Sequence, residues 1–302
     1  MDPILAWGLD VVRLAQGFAS PALTTVMKGI SFLGSEPFYL IMLPILYWAV
    51  DRDRGARIAL VFLASAFVNA WLKDLFGQSR PFDFDQALGL AIEGSHGLPS
   101  GHAQGSVVFF GMAAYFLPKP WKAVVAILFP LAIGVSRIYL GVHFPTDVLL
   151  GWGLGLLFLL GNHLVGERLE GPLQKLGERW RLILIAIITF GMNVLYSQDV
   201  SLAAAFLGAG FGFVWAVKAA PFSSGGSPGQ RLGRVALGLA LTVIVYIGPR
   251  YIAPPEGDAI YNLVRFFRYA LVGFCISLAA PWIFLRLGLA GSQEKAQAER
   301  SE

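Results

Sequence analysis

Long apolar stretches alternate with short polar punctuation along nearly the whole chain. Residues 31–50, 56–76, 101–118, 121–141, 145–165, 181–197, 200–219, 231–251 and 260–286 each form such a run. A helix needs about 20 mostly apolar residues to cross a bilayer core. The pattern therefore predicts an all-α, polytopic membrane protein with about nine spans. Residues 3–19 are also apolar but carry Asp10, Arg13 and Gln16, which predicts a short helix lying in the interface. This stretch has neither the basic start nor the small-residue cleavage pattern of a secretory signal.

Polar residues fall between the runs. Asp51-Arg52-Asp53-Arg54 closes the first, and Pro118-Lys119-Pro120 separates two others, because proline ends one helix and suits the first turn of the next. Residues 77–100 form the longest early loop, 166–180 a charged connector and 221–230 a flexible loop rich in Gly, Ser and Pro. The last dozen residues read as a polar tail, and no internal repeat is visible. A natural division falls near residue 166. Everything chemically suggestive lies in 1–165, whereas 166–302 holds four further spans and the tail.

Composition sharpens this reading. The chain is 56% hydrophobic and 14% charged, against roughly 25% charged in an average soluble domain. A single cysteine, Cys275, excludes an intramolecular disulfide and a Cys-rich metal site. Its place in the last apolar run points to packing. The net charge of +4 fits membrane topology; no basic patch with interleaved aromatics suggests a nucleic-acid partner.

Three polar clusters stand out, since such residues are costly in or beside a bilayer. Lys73 and Arg80-Pro81 lie at the exit of the 56–76 run. Pro99-Ser100-Gly101-His102 lies at the entrance of 101–118. Ser136-Arg137, His143 and Asp147 bridge the end of one run and the start of the next. Following the chain back and forth across the membrane brings all three to one face. Lys73, Arg80 and Arg137 then crowd into a low-dielectric volume, which is unfavourable unless an anion sits between them. The arginine fork and the amides at the Gly101 helix entrance both suit phosphate. A metal held by His102, His143 and Asp147 is the competing reading, though three neighbouring cations would repel a divalent ion.

Asp147 follows His143 by four residues, across a helix start marked by Pro145. A carboxylate there can accept the proton on one imidazole nitrogen and leave the other free to attack. His102, from another helix, can serve as the acid. Each residue also has a plainer explanation. Lys73 and Arg80 can be interfacial anchors, Ser100 and Gly101 an ordinary helix start, Asp147 a first-turn acid and Ser136 a structural hydrogen bonder. His96 reads as a solvated loop residue. His163 lies about 24 Å beyond Asp147 at 1.5 Å per helical residue, on the opposite face.

Together the three clusters resemble the signature of the type 2 phosphatidic acid phosphatase superfamily: Lys-x6-Arg-Pro, Pro-Ser-Gly-His and Ser-Arg-x5-His-x3-Asp. Every position is matched, over roughly residues 31–165. The resemblance implies a six-helix phosphatase core, followed here by about four additional helices, and chemistry requiring no metal or other cofactor. It implies His143 as a nucleophile forming a phosphohistidine, oriented by Asp147, with His102 protonating the leaving oxygen. Lys73, Arg80, Ser100, Gly101 and Arg137 would hold the phosphate. The first helix of such a core would be the short 3–19 segment.

The expected substrate is a lipid phosphate or diphosphate, such as phosphatidate, phosphatidylglycerophosphate, a polyprenyl diphosphate or a sphingoid phosphate. Two alternatives stay open: a phosphotransferase using the same phosphohistidine, and a lipid transporter or flippase. Most of the 23 Lys and Arg, among them Arg52, Arg54, Lys119, Lys122, Arg168 and Arg181, fall on the face opposite the clusters. The positive-inside rule then places the site on the non-cytoplasmic face of a plasma or inner membrane. Arg265 and Arg268 share one helical side; they can pair with Glu256 or Asp258, meet lipid headgroups or help admit an anionic substrate.

Overall fold

The computed structural model describes residues 2–251, 254–255, 258 and 260–292. Among these, all regular structure is helical. The α-helices run α1 Pro3–Gln16, α2 Pro21–Phe32, α3 Glu36–Ile45, α4 Arg52–Phe76, α5 Pro81–Phe84, α6 Gly101–Ala113, α7 Lys119–Tyr139, α8 Pro145–Gly161, α9 Glu167–Lys175, α10 Glu178–Leu195, α11 Ser201–Ala219, α12 Pro228–Ile247, α13 Tyr261–Phe274 and α14 Ala280–Arg286.

The protein is an integral, multi-pass membrane protein. Among the described residues, six helical segments are long and apolar enough to cross a bilayer: 52–84, 119–139, 145–166, 201–219, 228–251 and 261–286. The α2–α3 pair, bent by 46°, makes a seventh if it counts as one span. This corrects the expected nine. The α6 helix has 13 residues before a 3₁₀ turn ends it at Phe116; at 1.5 Å each that is about 20 Å, short of a hydrocarbon core of about 30 Å. The 18 residues of α10 open on Glu178, Arg179 and Arg181, which shortens its apolar length. The 31–50 run is interrupted by the turn between Phe32 and Glu36. A helix unforeseen in the sequence, α2, begins where Ser20 caps Leu23 N and Pro21 occupies the first turn.

The chain forms two compact units, one of Met1–Tyr39 and Ser65–Glu167, the other of Leu40–Ala64 and Arg168–Glu302. The second unit thus combines residues 40–64 with the C-terminal part of the chain.

In the first unit, α8 packs on α6 through glycines. A Cβ at Gly151 would lie 2.6 Å from Ser100 O, and one at Gly155 2.9 Å from Gln104 O. The missing side chains let the two backbones approach, so the start of α6 lies directly beside the first turns of α8. The short α1 props the turn between α7 and α8. Leu9 and Val12 pack with Phe144 and Leu88 in one buried cluster, and the Gln16 amide donates to Leu88 O and Tyr139 O, both at 2.8 Å.

The second unit has its own core of Tyr47, Trp48, Phe222, Ala280, Phe284 and Ala290. Tyr47 Oη donates to Ser277 O at 2.8 Å and Trp48 Nε1 to Ile276 O at 2.9 Å. Close backbone approach recurs there, since a Cβ at Gly273 would lie 2.5 Å from Ala205 O. Arg265 pairs with Asp199 at 3.0 Å and with Ser201 Oγ at 2.8 Å, so its carboxylate partner is Asp199. Glu256 lies outside the described residues. Arg268 stacks over the rings of Tyr246 and Tyr269.

Candidate active site

The site lies wholly within the first unit and is built from the ends of α4, α6, α7 and α8 and the loops that join α4 to α6 and α7 to α8. The α7–α8 turn supplies its centre. Gly141 adopts φ +70°, and a Cβ there would fall 1.8 Å from Leu88 O. Only glycine meets both demands. The turn it permits lets α7 end at Tyr139 and α8 begin at Pro145, leaving His143 and Asp147 one turn apart.

His143 Nδ1 lies 3.2 Å from Asp147 Oδ2. Asp147 carries no proton to offer when ionised, so the hydrogen bond places a proton on Nδ1 and leaves the Nε2 lone pair free. Arg80 Nη1 lies 3.2 Å from that Nε2. The carboxylate is itself fixed, with Oδ2 accepting from Phe144 N at 2.9 Å and Oδ1 from Gln78 Nε2 at 2.7 Å. His143 and Asp147 are fully buried. His143 lies between two spans, and burial first, then the Arg80, Arg137, Lys73 and His102 charges, hold its imidazole well below the usual histidine range. The residue is thus neutral near pH 7.

His102 enters from the first turn of α6. Ser100 caps that helix, its Oγ accepting from Ala103 N at 3.4 Å, and its amide donates to Asp147 O at 2.9 Å. Gly101 is set against Asn69, whose Oδ1 would be 2.9 Å from a Cβ at that position. Asn69 Nδ2 donates to Gln104 Oε1 at 2.8 Å, and Gln104 Nε2 to Ser65 Oγ at 2.8 Å. This buried polar chain locks α4 to α6 and so fixes Lys73 relative to His102. Gly34, in the α2–α3 turn, lies over His102, where a Cβ would come within 3.2 Å of the ring.

Three cations surround this centre. Arg80, buried, donates through Nε to Ser95 O at 2.6 Å and through Nη1 to Val142 O at 2.6 Å. Lys73 Nζ donates to His96 O at 2.5 Å and Gly97 O at 3.3 Å. Arg137 Nη1 donates to Ser31 Oγ at 2.6 Å, and its Nη2 to Glu93. The structure thus brings together Lys73, Arg80, Ser100, Gly101, His102, Arg137, His143 and Asp147. His96 contributes its carbonyl to Lys73 and Arg80; its side chain is exposed with the rest of the residue. Ser136 Oγ bonds Ile133 O at 2.7 Å, a contact inside its own helix. No cluster of three or more His, Cys, Asp or Glu suited to a metal ion occurs among the described residues.

Sequence reasoning missed Gln78, Ser31, Asn69, Gln104 and the role of Glu93. Gln78 offered a signal, standing between Lys73 and Arg80; Glu93 offered none beyond its place in the 77–100 loop.

Fold and site define a helical membrane protein that gathers cations and imidazoles around a buried, carboxylate-oriented histidine. Residues 54–169 match the family model of the PAP2 superfamily, and residues 200–292 that of the PAP2 superfamily phosphatase, transmembrane extension. The chain is 36% identical over 169 residues to phosphatidylglycerophosphatase B of Bacillus subtilis, covering 51% of this chain and 81% of that protein. An undecaprenyl-diphosphatase of Sulfolobus acidocaldarius is 26% identical over 180 residues, covering 58% of this chain and 84% of the relative. Sphingosine-1-phosphate phosphatase 2 of mouse is 28% identical over 126 residues, 39% of this chain and only 36% of that protein. The protein belongs to the PAP2 superfamily, and these relatives are lipid phosphatases.

Proposed function

We propose that this protein hydrolyses the phosphate of a lipid phosphate or diphosphate through a phosphohistidine on His143. The observation that carries the reading is the line Asp147 Oδ2–His143 Nδ1, His143 Nε2–Arg80 Nη1, with both contacts at 3.2 Å. A neutral imidazole so held presents its lone pair beside a guanidinium, where a phosphoryl group would be bound and attacked.

Nε2 attacks phosphorus, and the bond to the lipid oxygen breaks. Asp147 stabilises the positive charge that His143 gains. His102, protonated once the phosphate anion offsets the surrounding cations, donates that proton to the departing oxygen, then accepts one from the water that cleaves the phosphohistidine and releases inorganic phosphate. Arg80, Arg137 and Lys73, with the amides at the Gly101 end of α6, neutralise the charge on the equatorial oxygens. Ser100 acts mainly by holding that helix end on Asp147. These cations perform the neutralisation that a metal would otherwise supply.

The membrane setting favours a lipid substrate, because the bilayer concentrates it. Within α4 and α7, Arg52 and Lys119 stand at the ends opposite Lys73 and Arg137, which under the positive-inside rule supports a site on the non-cytoplasmic side. The spans of 200–292, matched to a family extension, form the second part of this membrane enzyme.

The test is a panel of short-chain lipid mono- and diphosphates, assayed for inorganic phosphate with purified protein and chelator present. Release that vanishes in His143→Ala supports the reading. Lipid phosphorylated without phosphate release would mark a phosphotransferase instead, and lipid movement retained in His143→Ala a transporter.

A further inference from the structure

The loop before Pro99 occupies the cations. Lys73 donates to the carbonyls of His96 and Gly97, and Arg80 to Ser95 O, Ser95 Oγ and His96 O. Arg137 spends its Nη2 on the Glu93 carboxylate. That pairing is incomplete in a particular way. The neighbouring Nε of Arg137 is buried without a hydrogen-bond partner, in a side chain only 3% exposed. Nε and Nη2 form one edge of the guanidinium fork, the edge that a bidentate oxyanion fills. Glu93 uses half of it.

We infer that Glu93 is an internal anion of the phosphate cradle, seated on Arg137 until substrate phosphate displaces it, and that this competition screens substrates by charge. The inference rests on reading Lys73, Arg80 and Arg137 as that cradle. Its physical basis is the mismatch just described. A terminal phosphate, with about −1.5 to −2 charges and three free oxygens, can take both Nε and Nη2 and still reach Arg80. A phosphodiester headgroup, with one charge and two free oxygens, gains less from the same exchange. Bulk bilayer lipids are mostly such diesters and outnumber any lipid monophosphate. Without an internal carboxylate the cradle would be open to them.

The electrostatic environment agrees. Glu93 bears on Lys73 and Arg80 as well as on its partner Arg137, so its charge offsets the whole group of cations. The carboxylate is also placed to leave. Its side chain is 30% exposed, and residues 92–96 of its loop lie at or near the surface.

The test is Glu93→Gln, which keeps size and removes charge, with Glu93→Asp as the charge-keeping control. Inorganic phosphate binding is measured by calorimetry on purified protein in detergent, which needs no turnover. Glu93→Gln should bind phosphate roughly tenfold more tightly, about 1.4 kcal/mol, with Glu93→Asp near the wild-type value. In turnover assays, dihexanoyl phosphatidylglycerol, a phosphodiester, should inhibit Glu93→Gln and leave the wild type unaffected. Unchanged or weaker phosphate binding in a folded Glu93→Gln protein overturns the inference and makes Glu93 a strut of its loop. If Glu93→Gln does not fold, unchanged phosphate affinity in Glu93→Ala or Glu93→Ser overturns it equally. Wild-type protein that releases no phosphate from any lipid would count against the functional reading alone.

Discussion

Arg80 Nη1 stands 3.2 Å from His143 Nε2, so the guanidinium touches the one nitrogen free to attack. Nη1 also donates to Val142 O and Nε to Ser95 O, both at 2.6 Å, and the group has little room to turn. An arginine placed there can bind a phosphoryl oxygen and hold it in line with Nε2. Lysine keeps the charge but loses the planar fork. Arg80→Lys should lower kcat/KM for a short-chain lipid phosphate by roughly 10²–10³, the usual loss for one oriented donor at developing charge. Phosphate release by folded protein checks this, and near-wild-type turnover would remove Arg80 from the reacting centre.

Asp147 binds His143 Nδ1 and the backbone of Phe144 through the same Oδ2, and Gln78 through Oδ1. An amide at this place can turn its NH2 towards Nδ1, which would shift the imidazole proton to Nε2 and block attack. Asp147→Asn should therefore reduce turnover by roughly 10²–10⁴. The loss should appear in the rate of phosphoenzyme formation, measured in a rapid-quench single turnover. Gln78→Ala, which leaves the tautomer intact and removes one oxygen's partner, should cost far less, about tenfold.

The depressed basicity of His143 has two consequences of known sign. Buried and flanked by Arg80, Arg137, Lys73 and His102, it takes up a proton only well below 6.5. The neutral, attacking form thus persists through mildly acidic pH. The acid limb of kcat/KM, corrected for the second ionisation of the substrate phosphate near 6, should lie well below pH 6.5. Stability follows the same logic. Unfolded chains bind a proton near 6.5 that the native site refuses, so this group removes stability as pH falls from 6.5 towards its native value and has no effect above. The fall of Tm between about pH 6.5 and 5 should be shallower in His143→Asn.

The motif positions were legible because each cluster is compact in sequence, and because helix ends facing one side of a membrane must converge. What joins them was less visible. Glu93 reaches Arg137 across 44 residues, Gln78 reaches Asp147 across 69 and Ser31 reaches Arg137 across 106, distances at which no local pattern operates. Hydropathy also overstated the spans. It averages over the turn at Leu33–Ser35 and over the early end of α6, and it credits α10 with an apolar length that its charged first turn takes away. The placement of 40–64 with the second unit depends on Tyr47 and Trp48 bonding to Ser277 and Ile276, pairs separated by 230 and 228 residues.

Glycines on α8 offer a test of how the site is held together. Gly151 and Gly153 are two residues apart on one helix, yet a Cβ at Gly151 would meet Ser100 O at 2.6 Å while one at Gly153 would meet nothing within 4 Å. Alanine at Gly153 should be neutral or stabilising by up to about 1 kcal/mol, from helix propensity alone. Alanine at Gly151 must push the start of α6 away and drag with it the Ser100 amide that bonds Asp147 O at 2.9 Å. A misplacement on the order of 1 Å can cost a hundredfold in rate. Gly151→Ala should accordingly lose roughly 10–100-fold in kcat while Gly153→Ala retains it, with Tm measured for both. Equal activity in the two proteins would mean that the distance between α6 and α8 does not set the geometry of His102 and His143.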